Sequence, residues 1–131
     1  MMSADAIHTV VVPSGARRFD SGFDGEPERR YRLVADGTWI DRSPPAVTAD
    51  GIAHPGGIRE CLNRAKRLPT APWMALLGQV RSARGPRKWF LIGSSCLWVP
   101  LEAGRLECCA NDINGFYGNN RGAVTLRVFE A

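Results

Sequence analysis

The chain is expected to fold as an all-β protein, a sandwich or barrel of about eight short strands, on three observations. Apolar residues recur with a period of two in several short stretches. Turn residues separate most of these stretches. Glycine (14) and proline (9) are too frequent among 131 residues for long helices. Hydrophobic residues make up 44% and charged residues 23%, which is enough apolar side chain for a real core. One globular domain spanning residues 1–131 follows, and a staple-dependent mini-protein does not.

The elements follow in chain order. Met1–Ala6 is neither basic nor apolar enough to read as a secretory signal and is expected to fray. No apolar run is long enough for a membrane-spanning helix, so no membrane insertion is expected. A cytoplasmic protein follows, with non-classical release as its route to the cell surface or exterior. Strands are expected at Thr9–Val12, Tyr31–Ala35 and Thr38–Ile40, with turns at Pro13–Gly15, Asp24-Gly25 and Asp36-Gly37. Ser43–Gly57 reads as a long loop, of the kind that is functional or mobile in a compact domain. Ile58, Cys61, Leu62 and Ala65 follow a helical period, so Ile58–Leu68 is expected to be a helix stopped by Pro69. Arg59, Arg64, Lys66 and Arg67 would give it a solvated basic face. Further strands are expected at Trp73–Val80, Trp89–Ile92 and Cys96–Val99, with Trp73, Trp89 and Trp98 as core residues rather than sugar platforms. Arg81, Arg84, Arg87 and Lys88 flank Gly85-Pro86 and suggest a charged hairpin tip. Leu106, Cys108 and Ala110 alternate with Glu107, Cys109 and Asn111; Val124, Leu126 and Val128 alternate with more polar neighbours.

The cysteines (Cys61, Cys96, Cys108, Cys109) form no C-x-x-C pair, and His8 and His54 lie far apart, so no zinc site is legible. Cys108 and Cys109 would point to opposite faces of a strand, which fits reduced structural thiols. The net charge of +4 is weak evidence for an anionic partner, and no nucleic acid is expected. No Ser-His-Asp order, carboxylate pair or activated cysteine stands out, so the chain does not read as an enzyme.

The segment Asp112–Gly122 is too long and polar for a tight hairpin and too rich in glycine and asparagine for a helix. It gathers oxygen-bearing side chains at Asp112, Asn114, Asn119 and Asn120, with glycines at 115, 118 and 122. Hard cations such as calcium take six to eight oxygens from carboxylates, amides and backbone carbonyls, as a rough rule. An EF-hand is excluded, because Ala123 stands where that motif needs a glutamate. The alternative is a polar turn whose asparagines bond their own backbone.

The run from Asn111 to Val128, with Asn111-Asp112, then Tyr117-Gly-Asn-Asn120, Gly122 and an alternating strand, resembles the closing motif of the PA-IL (LecA) type of calcium-dependent, galactose-specific bacterial lectin. Two upstream segments match in order and approximate spacing. One is His54-Pro55 after Asp50-Gly51; the other is Phe19–Gly22 followed by Leu33–Gly37 and Trp39. The likeness covers about residues 17–129. It implies a jelly-roll β-sandwich like other galactose-binding domains, with calcium as cofactor, galactose-containing glycans as partners, and assembly into a dimer or tetramer.

The resemblance also implies residue roles. Asp112, Asn119 and Asn120 would bind calcium through side-chain oxygens, and Phe116 through its backbone carbonyl. A further carbonyl would come from Asp41 or Arg42. Asp112, Phe116 and Asn119 would also border the sugar, with Ile113 beside its ring. His54 would bond the galactose 6-hydroxyl, and Pro55 would shape the wall. Gly57 stands where the family has a glutamine that also meets the 6-hydroxyl, a loss of about 0.5–1.5 kcal/mol for one hydrogen bond. A single assigned carboxylate implies modest calcium affinity. The expected function is calcium-dependent binding of galactose or terminal galactosides. The rivals are a calcium-stabilised accessory domain without sugar binding and a basic nucleic-acid-binding module.

Overall fold

The computed structural model describes residues 5–81 and 88–131. Strands β1 (His8–Pro13), β2 (Phe19–Gly25) and β3 (Tyr31–Asp41) precede a short helix, α1 (Gly57–Cys61). Strands β4 (Leu76–Arg81), β5 (Phe90–Leu91), β6 (Ser95–Trp98), β7 (Gly104–Ala110) and β8 (Asn120–Glu130) follow. They form two four-stranded antiparallel sheets, in the orders β1-β8-β3-β6 and β2-β7-β4-β5. The expected all-β sandwich is therefore the observed architecture. Alternation explains the packing: Val124, Leu126 and Val128 are buried on β8, opposite Leu33 and Ala35 of β3 and Val12 of β1. Aromatic rings extend the core, with Trp98 stacked on Phe90 at 5.9 Å and Tyr31 edge-on to Phe23 at 5.1 Å. Trp73 and Trp98 are buried and Trp89 is half-buried against the core, as expected for core residues.

Five expectations need correction. Tyr31–Ala35 and Thr38–Ile40 are one continuous strand rather than two separated by a turn. Gly37 pairs with Val124 within β3 at φ 107, and a Cβ there would lie 3.2 Å from the Ala123 carbonyl oxygen. Asp24-Gly25 is no turn but the end of β2, whose pairing with β7 shifts register between Asp20 and Asp24. Trp73 precedes β4, and its backbone bridges Ile52 instead. The helix expected over Ile58–Leu68 is confined to Gly57–Cys61 and a 3-10 turn at Asn63–Ala65. Lys66 is buried rather than on a solvated face. Its ammonium donates to the carbonyls of Asn63 (2.7 Å) and Pro69 (2.9 Å) and to Asn63 Oδ1 (2.8 Å), curling the chain back before Pro69.

The hairpin tip expected at Gly85-Pro86, with Arg84 and Arg87, lies outside the described residues. Arg81 is in β4 and pairs with Asp20 (3.1 Å) and Glu107 (3.3 Å) across the sheet. All four cysteines are free thiols. No helix among the described residues is long and apolar enough to cross a membrane.

Candidate functional site

Strand pairing brings the site residues to one end of the sandwich. The last residue of β3, Asp41, lies opposite the first of β8, Asn120. In the other sheet, Leu76 at the start of β4 pairs with Ala110 at the end of β7, so Asn111 and Asp112 leave the sheet here too. The chain between β7 and β8 curls through a 3-10 turn at Tyr117–Asn119.

Two residues that carry no role in the sequence reading build this loop. Asn111 is fully buried, and its side-chain amide donates to the carbonyls of Leu68 (2.9 Å), Ala71 (3.2 Å) and Pro72 (3.0 Å). Its Oδ1 accepts from the Leu68 N–H at 2.9 Å, so the side chain holds the 68–72 segment against β7. The buried Tyr117 hydroxyl donates to the Ala110 carbonyl at 2.6 Å, closing the loop on its own base. Burial pushes the Tyr117 phenol well above its usual range, so it stays a neutral donor. An asparagine followed six residues later by a tyrosine was visible in the sequence, but the burial of Asn111 and its partners at 68–72 were not.

An open pocket lies on this end. Asp112, Ile113, Phe116 and Asn119 form one side. Asp41, Arg42 and Ser43 from the end of β3 form another, and Gly57, Arg59 and Trp73 are among the residues that line the rest. Of the residues expected at the site, the pocket gathers Asp41, Arg42, Gly57, Asp112, Ile113, Phe116 and Asn119. Pro55 lines an adjoining recess that shares Asp41, Arg59 and Trp73. His54 does not line the pocket. Its side chain is 88% exposed, with Nδ1 3.5 Å from Glu60 Oε1. Gly57 has φ 58, and no atom lies within 4 Å of where its Cβ would stand.

The polar groups in the pocket, and Asn120 beside it, divide into satisfied and unsatisfied ones. Asp41 Oδ2 accepts from the Trp73 indole at 2.9 Å and pairs with Arg59 Nε at 3.2 Å. The Asp41 carbonyl accepts from the Ser43 N–H (2.6 Å) and from the Arg59 guanidinium, which fills both its lone pairs. Arg42 has φ 65, and its N–H donates to the Asn119 carbonyl at 3.1 Å. Asp112 is 1% exposed; its Oδ1 accepts from the Ile113 N–H at 2.7 Å, while its Oδ2 is buried without a partner. Asn120 donates to the Ser14 carbonyl at 3.0 Å, and its Oδ1 is likewise buried without a partner. Burial, reinforced by the nearby Asp41 carboxylate, pushes the Asp112 carboxyl up to about 6.

Leaving a buried oxygen unpaired costs about 1–3 kcal/mol. An oxygen-seeking hard cation would satisfy both Asp112 Oδ2 and Asn120 Oδ1, and the donor set here is oxygen throughout. The described residues hold no cluster of three or more His, Cys, Asp or Glu suited to a metal, so an ion held by Asp112 would rely otherwise on amide and backbone oxygens.

No protein-family model matches the chain, and no curated protein matches it. Among solved structures it is similar to the N-terminal domain of EclA, described as a PllA-like lectin. The TM-score is 0.70 at 16% identity, covering 98% of this chain and 100% of that one. At that identity the likeness establishes a shared fold over nearly the whole chain.

Proposed function

We propose that this protein is a non-catalytic, calcium-dependent lectin that binds galactose or terminal galactosides in the pocket between β3 and the 111–120 loop. The observation that carries this reading is the pair of buried, unpartnered oxygens on Asp112 and Asn120 beside an open pocket. The lectin fold of the structural neighbour and the motif at Asn111–Gly122 support it.

Side-chain oxygens of Asp112, Asn119 and Asn120 and the Phe116 carbonyl would hold the ion. Of the two candidate carbonyls at the end of β3, Arg42's is favoured, because Asp41's already accepts from two donors. Bound calcium would supply an adaptable coordination sphere in which two sugar hydroxyls can replace water, which magnesium's stricter octahedron does not favour. Asp112 and Asn119 would accept from and donate to those hydroxyls, and Ile113 would face the ring. His54 and Pro55, on the neighbouring segment, would reach the 6-hydroxyl only if the His54 ring turns from Glu60 toward the pocket. Galactose has the cis 3,4-diol that glucose lacks, which favours it over glucose. Several weak sites acting together give useful avidity, so a dimer or tetramer is part of the reading.

A glycan array in calcium and again in chelator tests the proposal. Galactosides retained only with calcium support it. A calcium-stabilised domain that retains no glycan would overturn it.

A further inference from the structure

Resting on the reading of this pocket as a calcium-dependent galactose site, we propose that its preferred ligand is an anionic galactoside, one bearing a carboxylate or sulfate, selected by the Arg42 guanidinium. Arg42 lines the pocket and is exposed. Its backbone is tied to the Asn119 carbonyl at 3.1 Å, which keeps the residue beside the ligand-facing loop. No carboxylate among the described residues pairs with its side chain.

The other charges of the pocket are paired or buried. Arg59 is bound to Asp41 at 3.2 Å and to Ser43 Oγ at 3.2 Å. Asp41 is held in turn by Trp73, and Asp112 is buried in the pocket wall. The free charge that a ligand meets is therefore the positive one on Arg42. A single Asp112 carboxylate would leave a bound divalent ion partly uncompensated, which adds to the surplus. A guanidinium presents a planar fork that matches carboxylate and sulfate oxygens and gains little from a neutral hydroxyl.

Because Arg42 is solvated, the gain is modest, about three- to fivefold, and it should shrink with salt. The test is calorimetry in calcium with methyl galactoside, methyl galacturonide and the 2- and 6-sulfates of galactose, at low and high salt. It is run on the parent and on Arg42→Gln. Arg42→Gly, which also relieves the positive φ, serves as a second charge-removing variant should the first fold poorly. The readout is the ratio of anionic to neutral affinity within each protein, so a change in overall affinity cancels.

The expected result is at least one anionic ligand three- to fivefold tighter than the neutral one at low salt. That ratio should fall toward one at high salt and in either variant. A ratio near one in the parent for every anion, or a ratio unchanged in both variants, overturns this inference and leaves the galactose reading standing. No binding of any of the four ligands in calcium overturns both.

Discussion

The backbone N–H of Arg67 donates to the carbonyl of Asp112 at 3.0 Å, joining the basic segment after α1 to the loop that carries the candidate site. The side chain of Arg67 strengthens the same joint. Its guanidinium lies 4.7 Å from the Trp89 ring and 5.1 Å from the Tyr117 ring, and it reaches Asn114 Oδ1 at 3.4 Å. Arg67 is thus a clamp on the loop rather than part of a solvated face, whereas Arg64 of the same stretch is exposed.

Arg67→Ala should destabilise the protein by about 2 kcal/mol, from two cation–π contacts and lost packing. It should also weaken calcium-induced stabilisation, because the loop loses its backing. Urea unfolding and thermal melts with and without calcium check both. Arg67→Lys should recover only part of the loss, since an ammonium does not stack in a planar fork.

Asn111→Ala removes four hydrogen bonds and strands the Leu68 N–H with the carbonyls it served. A loss of about 3 kcal/mol or more is expected, measured by urea denaturation. A loss under about 1 kcal/mol would mean that water replaces the side chain without penalty.

Asp112 makes the calcium-free protein pH-sensitive in a predictable direction. Its carboxyl is raised from 3.8 to about 6 in the fold. Between those values the folded chain binds more protons than the unfolded one, so the Asp112 contribution to stability falls as pH rises and levels off above about 6. The size is about 2–3 kcal/mol. Without calcium, Asp112→Asn should therefore melt higher than the parent at neutral pH and lose that advantage toward pH about 4. The same variant should gain no melting temperature from calcium. Melts of both proteins across this range, with chelator and with calcium, read out both effects.

Much of the sandwich was legible because burial follows alternation, as Val124, Leu126 and Val128 show. Gly37 misled because a glycine at positive φ can serve a strand pressed against its neighbour's backbone as well as a turn. Strand β2 was hidden by Asp20 and Asp24, which look like turn residues but pair with Arg105 at 3.0 Å and 2.8 Å on the outer face of the sheet. Local sequence suggested the cluster Asp112, Asn114, Asn119 and Asn120, because those oxygen-bearing residues share one loop, and the family resemblance added Phe116. The Asn111 clamp and the Arg59–Asp41–Trp73 chain were not legible, because their partners meet only through the fold.

The proposed roles of His54 and Gly57 in specificity can be tested separately. His54→Ala should weaken galactose more than a galactose analogue lacking the 6-hydroxyl, by about 1 kcal/mol for one hydrogen bond. Gly57→Gln has room for its side chain but pays about 1 kcal/mol for a positive φ, so it should melt slightly lower while gripping the 6-hydroxyl more tightly. Calorimetry with both sugars checks each variant. Equal losses for the two sugars in the His54 variant would assign the 6-hydroxyl to another group.

The most direct measurement is calorimetric titration of the parent protein with methyl galactoside and methyl glucoside, first in calcium and then in excess chelator. The galactoside is expected to bind in calcium, roughly tenfold tighter than the glucoside or about 1.4 kcal/mol, with no detectable binding in chelator. Galactoside binding of the same strength in chelator, or none in calcium from protein that melts cooperatively, would contradict it.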